Sequence, residues 1–98
     1  MRSIRFPGKL HTIMKDERGL YYLPYPNNPQ TRMYVVQRAD DIYFRLWNAK
    51  DPQLWEEHDW VPWGAIRKAS HMYERKGSFD PVQAYDIRVA QALLAENE

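Results

Sequence analysis

Thr31-Arg32-Met33-Tyr34-Val35-Val36-Gln37-Arg38 followed, after Ala39-Asp40-Asp41, by Ile42-Tyr43-Phe44-Arg45-Leu46-Trp47 is the stretch that decides the fold. Both runs are rich in β-branched and aromatic residues and contain neither glycine nor proline, so each reads as a strand. The residues between them mark a tight reversal, which makes the pair an antiparallel hairpin. If the connecting loop has an even number of residues, the pleat gathers Met33, Val35, Ile42, Phe44 and Leu46 on one face. That face is the expected core. The opposite face collects Arg32, Tyr34, Val36, Arg38, Tyr43, Arg45 and Trp47, in which cations and aromatic rings alternate across the strands.

Toward the N-terminus, Pro24-Tyr25-Pro26-Asn27-Asn28-Pro29 must be a loop, because three prolines remove three backbone donors within six residues. Asp16-Glu17-Arg18-Gly19 separates two further short apolar runs, near Leu10 to Met14 and Leu20 to Leu23, and its glycine supplies the positive φ for a hairpin loop of three to five residues. Four strands in two hairpins are therefore expected. Residues 1–9 form a lead-in that could be flexible.

Toward the C-terminus the period changes. Asp51-Pro52 opens a short helix to His58, with Asp as cap and Pro first. Pro62, Ala65, Ile66, Ala69, Met72 and Tyr73 then recur at helical spacing, and Lys76-Gly77 stops that helix. The last helix should start at Asp80-Pro81, Asp80 and Gln83 forming a capping box, and should bury Val82, Tyr85, Val89, Ala90, Leu93 and Leu94. Strands first and helices after, without alternation, define an α+β fold: a small antiparallel sheet of about four strands, a short helix, and two longer helices packed on one face.

Composition narrows the classes of function. The 98 residues suit a single domain, 1–98, and no apolar run is long enough for a membrane span or a secretory leader, so a cytoplasmic protein that binds no membrane is expected. With no cysteine there is no disulfide, no thiol nucleophile and none of the usual structural zinc sites. His11, His58 and His71 have no second histidine at helical spacing, the serines sit in no nucleophile motif, and four glycines build no phosphate loop. No catalytic residue, cofactor or metal is assigned, and a non-enzymatic protein is expected. The net charge of +1 conceals alternating blocks, +5 over residues 1–38, −4 over 39–60, +3 over 61–79 and −3 over 80–98, which suggests that neighbouring segments pair.

Two surfaces stand out. Trp47, Trp55, Trp60 and Trp63 fall within seventeen positions. Such a cluster is core in part, since a small domain needs bulky clamps, but the segment from Leu54 to Trp63 is too aromatic for a plain linker. Trp55, Trp60 and Trp63 are accordingly the candidate surface for a protein partner, in a binding or adaptor domain. The alternative is a single-stranded nucleic acid held by Arg32, Tyr34, Tyr43, Arg45 and Trp47, with bases stacking on rings and guanidinium groups meeting phosphates. A small-molecule enzyme using dispersed residues comes third. Oligomeric state is not legible.

Overall fold

Ala39 and Asp40 alone connect the two central strands, because Arg38 pairs with Asp41. The loop is even, so the pleat divides the side chains as the alternation predicts. Ala39 sits at φ 53°, a left-handed conformation that costs a non-glycine residue about 1–2 kcal/mol. The Gln37 side chain braces this turn by donating from Nε2 to the Ala39 and Asp41 carbonyls at 3.4 and 3.2 Å.

The computed structural model describes residues 14–72 and 84–97. Around the hairpin, β3 (Thr31–Arg38) and β4 (Asp41–Asn48), lie β1 (Lys15–Asp16) and β2 (Gly19–Tyr22) on one side and β5 (Val61–Pro62) on the other, in one antiparallel sheet of order β1-β2-β3-β4-β5. Among the described residues run the helices α1 (Gln53–Glu57), α2 (Trp63–Met72) and α3 (Ile87–Asn97). This is an α+β architecture, with no helix among the described residues long and apolar enough to cross a membrane.

On one face, Leu20, Tyr22, Met33, Val35, Ile42 and Phe44 form a core with Ile66 of α2, Ala90 and Leu93 of α3, and Ala84. Phe44 is fully buried, its ring 5.9 Å from Trp63 and 5.6 Å from Tyr85. The Tyr22 hydroxyl fastens the start of α3 to the sheet, donating to the Ala84 carbonyl at 2.5 Å and accepting from the Asp86 N–H at 2.8 Å. Burial raises its pKa, which keeps it a neutral donor.

Several expectations change. Among the described residues the sheet has five strands rather than four, and β1 begins at Lys15; residues 10–13 of the strand expected near Leu10 to Met14, and residues 1–9, lie outside the described residues. The β1–β2 turn is two residues long, since Asp16 pairs with Gly19, whose φ is 126°. It can be that tight because the Asp16 carboxylate takes the Arg18 N–H at 2.8 Å. At α1 the N-cap is Pro52 with no side-chain cap, and Asp51 contributes its carbonyl to the Leu54 N–H instead. This short helix does not join α2 and α3; it crosses to the opposite face of the sheet. The α2 face also turns, with Ile66 buried while Ala65 and Ala69 are exposed.

The final helix breaks at Tyr85-Asp86. Asp86 holds the first turn of α3, Oδ1 accepting from Arg88 N at 3.1 Å and Val89 N at 3.3 Å. Starting at Ile87 puts Ala90 and Leu93 against the sheet and leaves Val89, expected in the core, 38% exposed. Asp80, Gln83, Lys76 and Gly77 lie outside the described residues.

Candidate functional site

The face of the sheet away from the core carries an unbroken ladder in which guanidinium groups and aromatic rings alternate. Arg32 stands 4.6 Å from the Tyr21 ring centre and 5.1 Å from that of Trp47. Arg18 follows, 4.6 Å from Trp47 and 5.9 Å from Trp55. Arg45 lies 4.0 Å from Trp55 and 5.9 Å from Trp60, and Arg38 closes the series 5.5 Å from Trp60 and 5.4 Å from Tyr43. Each contact is within the range of a cation–π interaction.

Local structure explains the order. Antiparallel pairing sets Arg32 opposite Trp47, Tyr34 opposite Arg45 and Val36 opposite Tyr43, while Tyr21 lies opposite Tyr34 on the other side. The tight β1–β2 turn swings Arg18 over the same face. Arg45 then docks α1: its guanidinium donates to the Trp55 carbonyl through Nε at 3.2 Å and Nη2 at 2.5 Å. That carbonyl belongs to the last turn of α1 and has no partner within so short a helix. Arg45 also lies 3.8 Å from Asp59, whose side chain is 89% exposed and adds little.

Beneath the ladder is a polar knot. Tyr34 is fully buried, its ring 5.2 Å from both Tyr21 and Trp55. Its hydroxyl donates to Asp16 Oδ2 at 2.5 Å, and Arg32 Nη1 reaches the same oxygen at 2.6 Å. Partial burial pulls the Asp16 carboxyl upward, but the bonds from Tyr34 and the Arg18 N–H, with the Arg32 and Arg18 charges, outweigh it and hold the pKa below the ordinary value. Burial, then donation to Asp16, raises the Tyr34 pKa; the bond to Tyr34 does most to raise that of Arg32.

The residues expected to bind single strands, Arg32, Tyr34, Tyr43, Arg45 and Trp47, share this face, but Tyr34 is sealed under it and cannot stack on a base. The three tryptophans expected to form one protein surface divide. Trp55 and Trp60 meet edge to face, 5.8 Å apart, within the ladder, whereas Trp63 packs on Phe44 in the core. The two-residue strand β5 separates them, because Val61 lies opposite Phe44 and Pro62 opposite Tyr43. Alternation along the chain then sends Trp60 and Trp63 to opposite faces. Arg18, Tyr21 and Asp16 were not singled out from sequence. Tyr21 was findable, since it alternates with the core residues Leu20 and Tyr22; Arg18 and Asp16 read as turn residues.

No group of His, Asp and Glu able to hold a metal ion occurs among the described residues. Set against family models, curated proteins and solved structures, the chain matches none.

Proposed function

We propose that the chain is a protein-binding module whose contact surface is the Arg and aromatic ladder, centred on Trp47, Trp55 and Trp60. The observation that carries this reading is the ladder's local charge pairing: Arg32 meets Asp16, Arg18 meets Glu17 at 3.5 Å and Arg45 meets Asp59. Rigid tryptophan and arginine side chains with little net field are the composition of an interface hot spot. A phosphate-binding groove needs cations in excess and open ring faces, and here guanidinium groups already cover many of the rings.

The test is affinity capture with nuclease-treated wild type, with Trp47→Ala and Trp60→Ala, and with Arg88→Ala on the exposed side of α3 as control, each first shown to be folded. One protein held by wild type and Arg88→Ala, released by both tryptophan variants, and bound again by the purified chain supports the reading. Capture that survives both tryptophan replacements refutes it.

A further inference from the structure

Strand β2 stops short of its neighbour. It pairs with β3 only through Met33, Tyr34 and Val35, so among the described residues Val36, Gln37 and Arg38 have no strand beside them on that side. The direction of the exposed backbone groups follows from the ladder of hydrogen bonds. Ala49 N donates to the Gln30 carbonyl, which marks even-numbered residues of β3 as those bonded to β4. Alternation then turns odd-numbered residues toward β2. Met33 and Val35 find Tyr22 and Leu20 there. Gln37 finds no backbone partner among the described residues, because Arg18, which would face it, has turned its N–H to Asp16.

A cleft of about 390 Å³ opens at this edge. Lys15 and Arg18 flank it from the hairpin, Trp60 from the ladder side, and Leu94 and Asn97 from the end of α3. Its lining holds Lys15 and Arg18, of which Arg18 already meets Glu17, and no acidic side chain. Arg38, stacked near Trp60, has no carboxylate within ion-pairing distance among the described residues.

We infer that this notch takes an extended acidic segment of a partner protein, which adds as a short strand on β3, bonding the Gln37 N–H and carbonyl while its carboxylates face Lys15 and Arg38. Strand addition is the recognition mode an unpaired edge permits, and the cations select the sign of the segment. The inference rests on the protein-binding reading and names the chemistry of the partner; Trp60 belongs to both surfaces.

Gln37→Pro against Gln37→Ala isolates the mechanism. Both lose the side-chain bonds to Ala39 and Asp41, but only proline loses the edge N–H, and proline is tolerated where that N–H bonds nothing in its own sheet. The probe is a labelled synthetic peptide alternating glutamate with valine, with a lysine–valine peptide and a single-stranded oligonucleotide beside it. Expected results are rapid exchange of the Gln37 amide in the free full chain and its protection by the glutamate peptide. Binding should hold in Gln37→Ala, fall on the order of tenfold or more in Gln37→Pro, and weaken in Arg38→Gln and with added salt. A Gln37 amide already slow in the free chain overturns the inference, as does equal binding by Gln37→Ala and Gln37→Pro. Preference for the lysine peptide or the oligonucleotide does the same. If these fail while the tryptophan variants still release a captured protein, the ladder reading stands and only strand addition is lost.

Discussion

Asp16→Asn tests the polar knot under the ladder. The aspartate accepts from Tyr34 and Arg32 on Oδ2 and from the Arg18 N–H on Oδ1. Asparagine has one acceptor oxygen; if it stays with Tyr34, its amide group meets the Arg18 N–H, donor against donor. The lost turn bond costs about 1 kcal/mol. Removing the charge opposite Arg32 adds less than a buried pair would, because the two side chains keep 29% and 18% exposure. Together the change should cost roughly 1.5–2.5 kcal/mol, which for a domain of this size lowers Tm by about 10 °C. The pH dependence has a definite sign. Because the folded pKa of Asp16 lies below its unfolded value of about 3.9, its contribution is complete above that value and disappears as pH falls through the folded pKa. Denaturant melts of both proteins, followed by tryptophan fluorescence from neutral pH into acid, should show a gap that is constant near neutrality and closes in acid. A gap under about 0.5 kcal/mol at neutral pH, or one that widens in acid, refutes the knot.

Two other replacements test the elements that position the site. Phe44→Ala should cost about 3–5 kcal/mol, since its fully buried ring packs between Trp63 and Tyr85, and Tyr43→Ala on the ladder face should cost much less; denaturant midpoints give the ranking, and the reverse order would overturn the assignment of faces. Asp86→Ala should lose the cap of α3 and about 1 kcal/mol, seen as a Tm lower by several degrees, whereas an unchanged Tm would place the start of the helix elsewhere.

The central hairpin was legible because its information is local and redundant: the alternation of Met33, Val35, Ile42, Phe44 and Leu46, together with an even loop, fixes both faces at once. The end of the chain was less so. Asp86 precedes an apolar helical pattern, but capping chemistry alone does not single it out. Fixing the start of α3 at Asp86 depends on the Tyr22 hydroxyl, which takes the Asp86 N–H and the Ala84 carbonyl from sixty residues and more away in sequence. Likewise, α1 is too short to show an amphipathic period, so its choice of face rests on Arg45 reaching the Trp55 carbonyl, a tertiary contact with no signature in spacing.

The same limit explains the site. Sequence placed Arg32, Tyr34, Tyr43, Arg45 and Trp47 together by parity, yet read the tryptophans after Trp47 as one cluster because they are near in sequence. Space groups them by the pleat instead, and the proline-containing strand β5 is where Trp60 and Trp63 part. Charge shows the point again. The alternating blocks suggested that neighbouring segments pair, but Arg18 and Arg32 fold onto Glu17 and Asp16 from within the basic block of residues 1–38 itself. What remains unpaired among the ladder cations, within the described residues, is Arg38, at the one end of the ladder where β3 also lacks a neighbouring strand among those residues. An unmatched cation and an unmatched backbone edge in the same place give a partner both a charge to answer and a strand to complete, which is why the open end of the ladder, rather than its stacked middle, should set which partner is accepted.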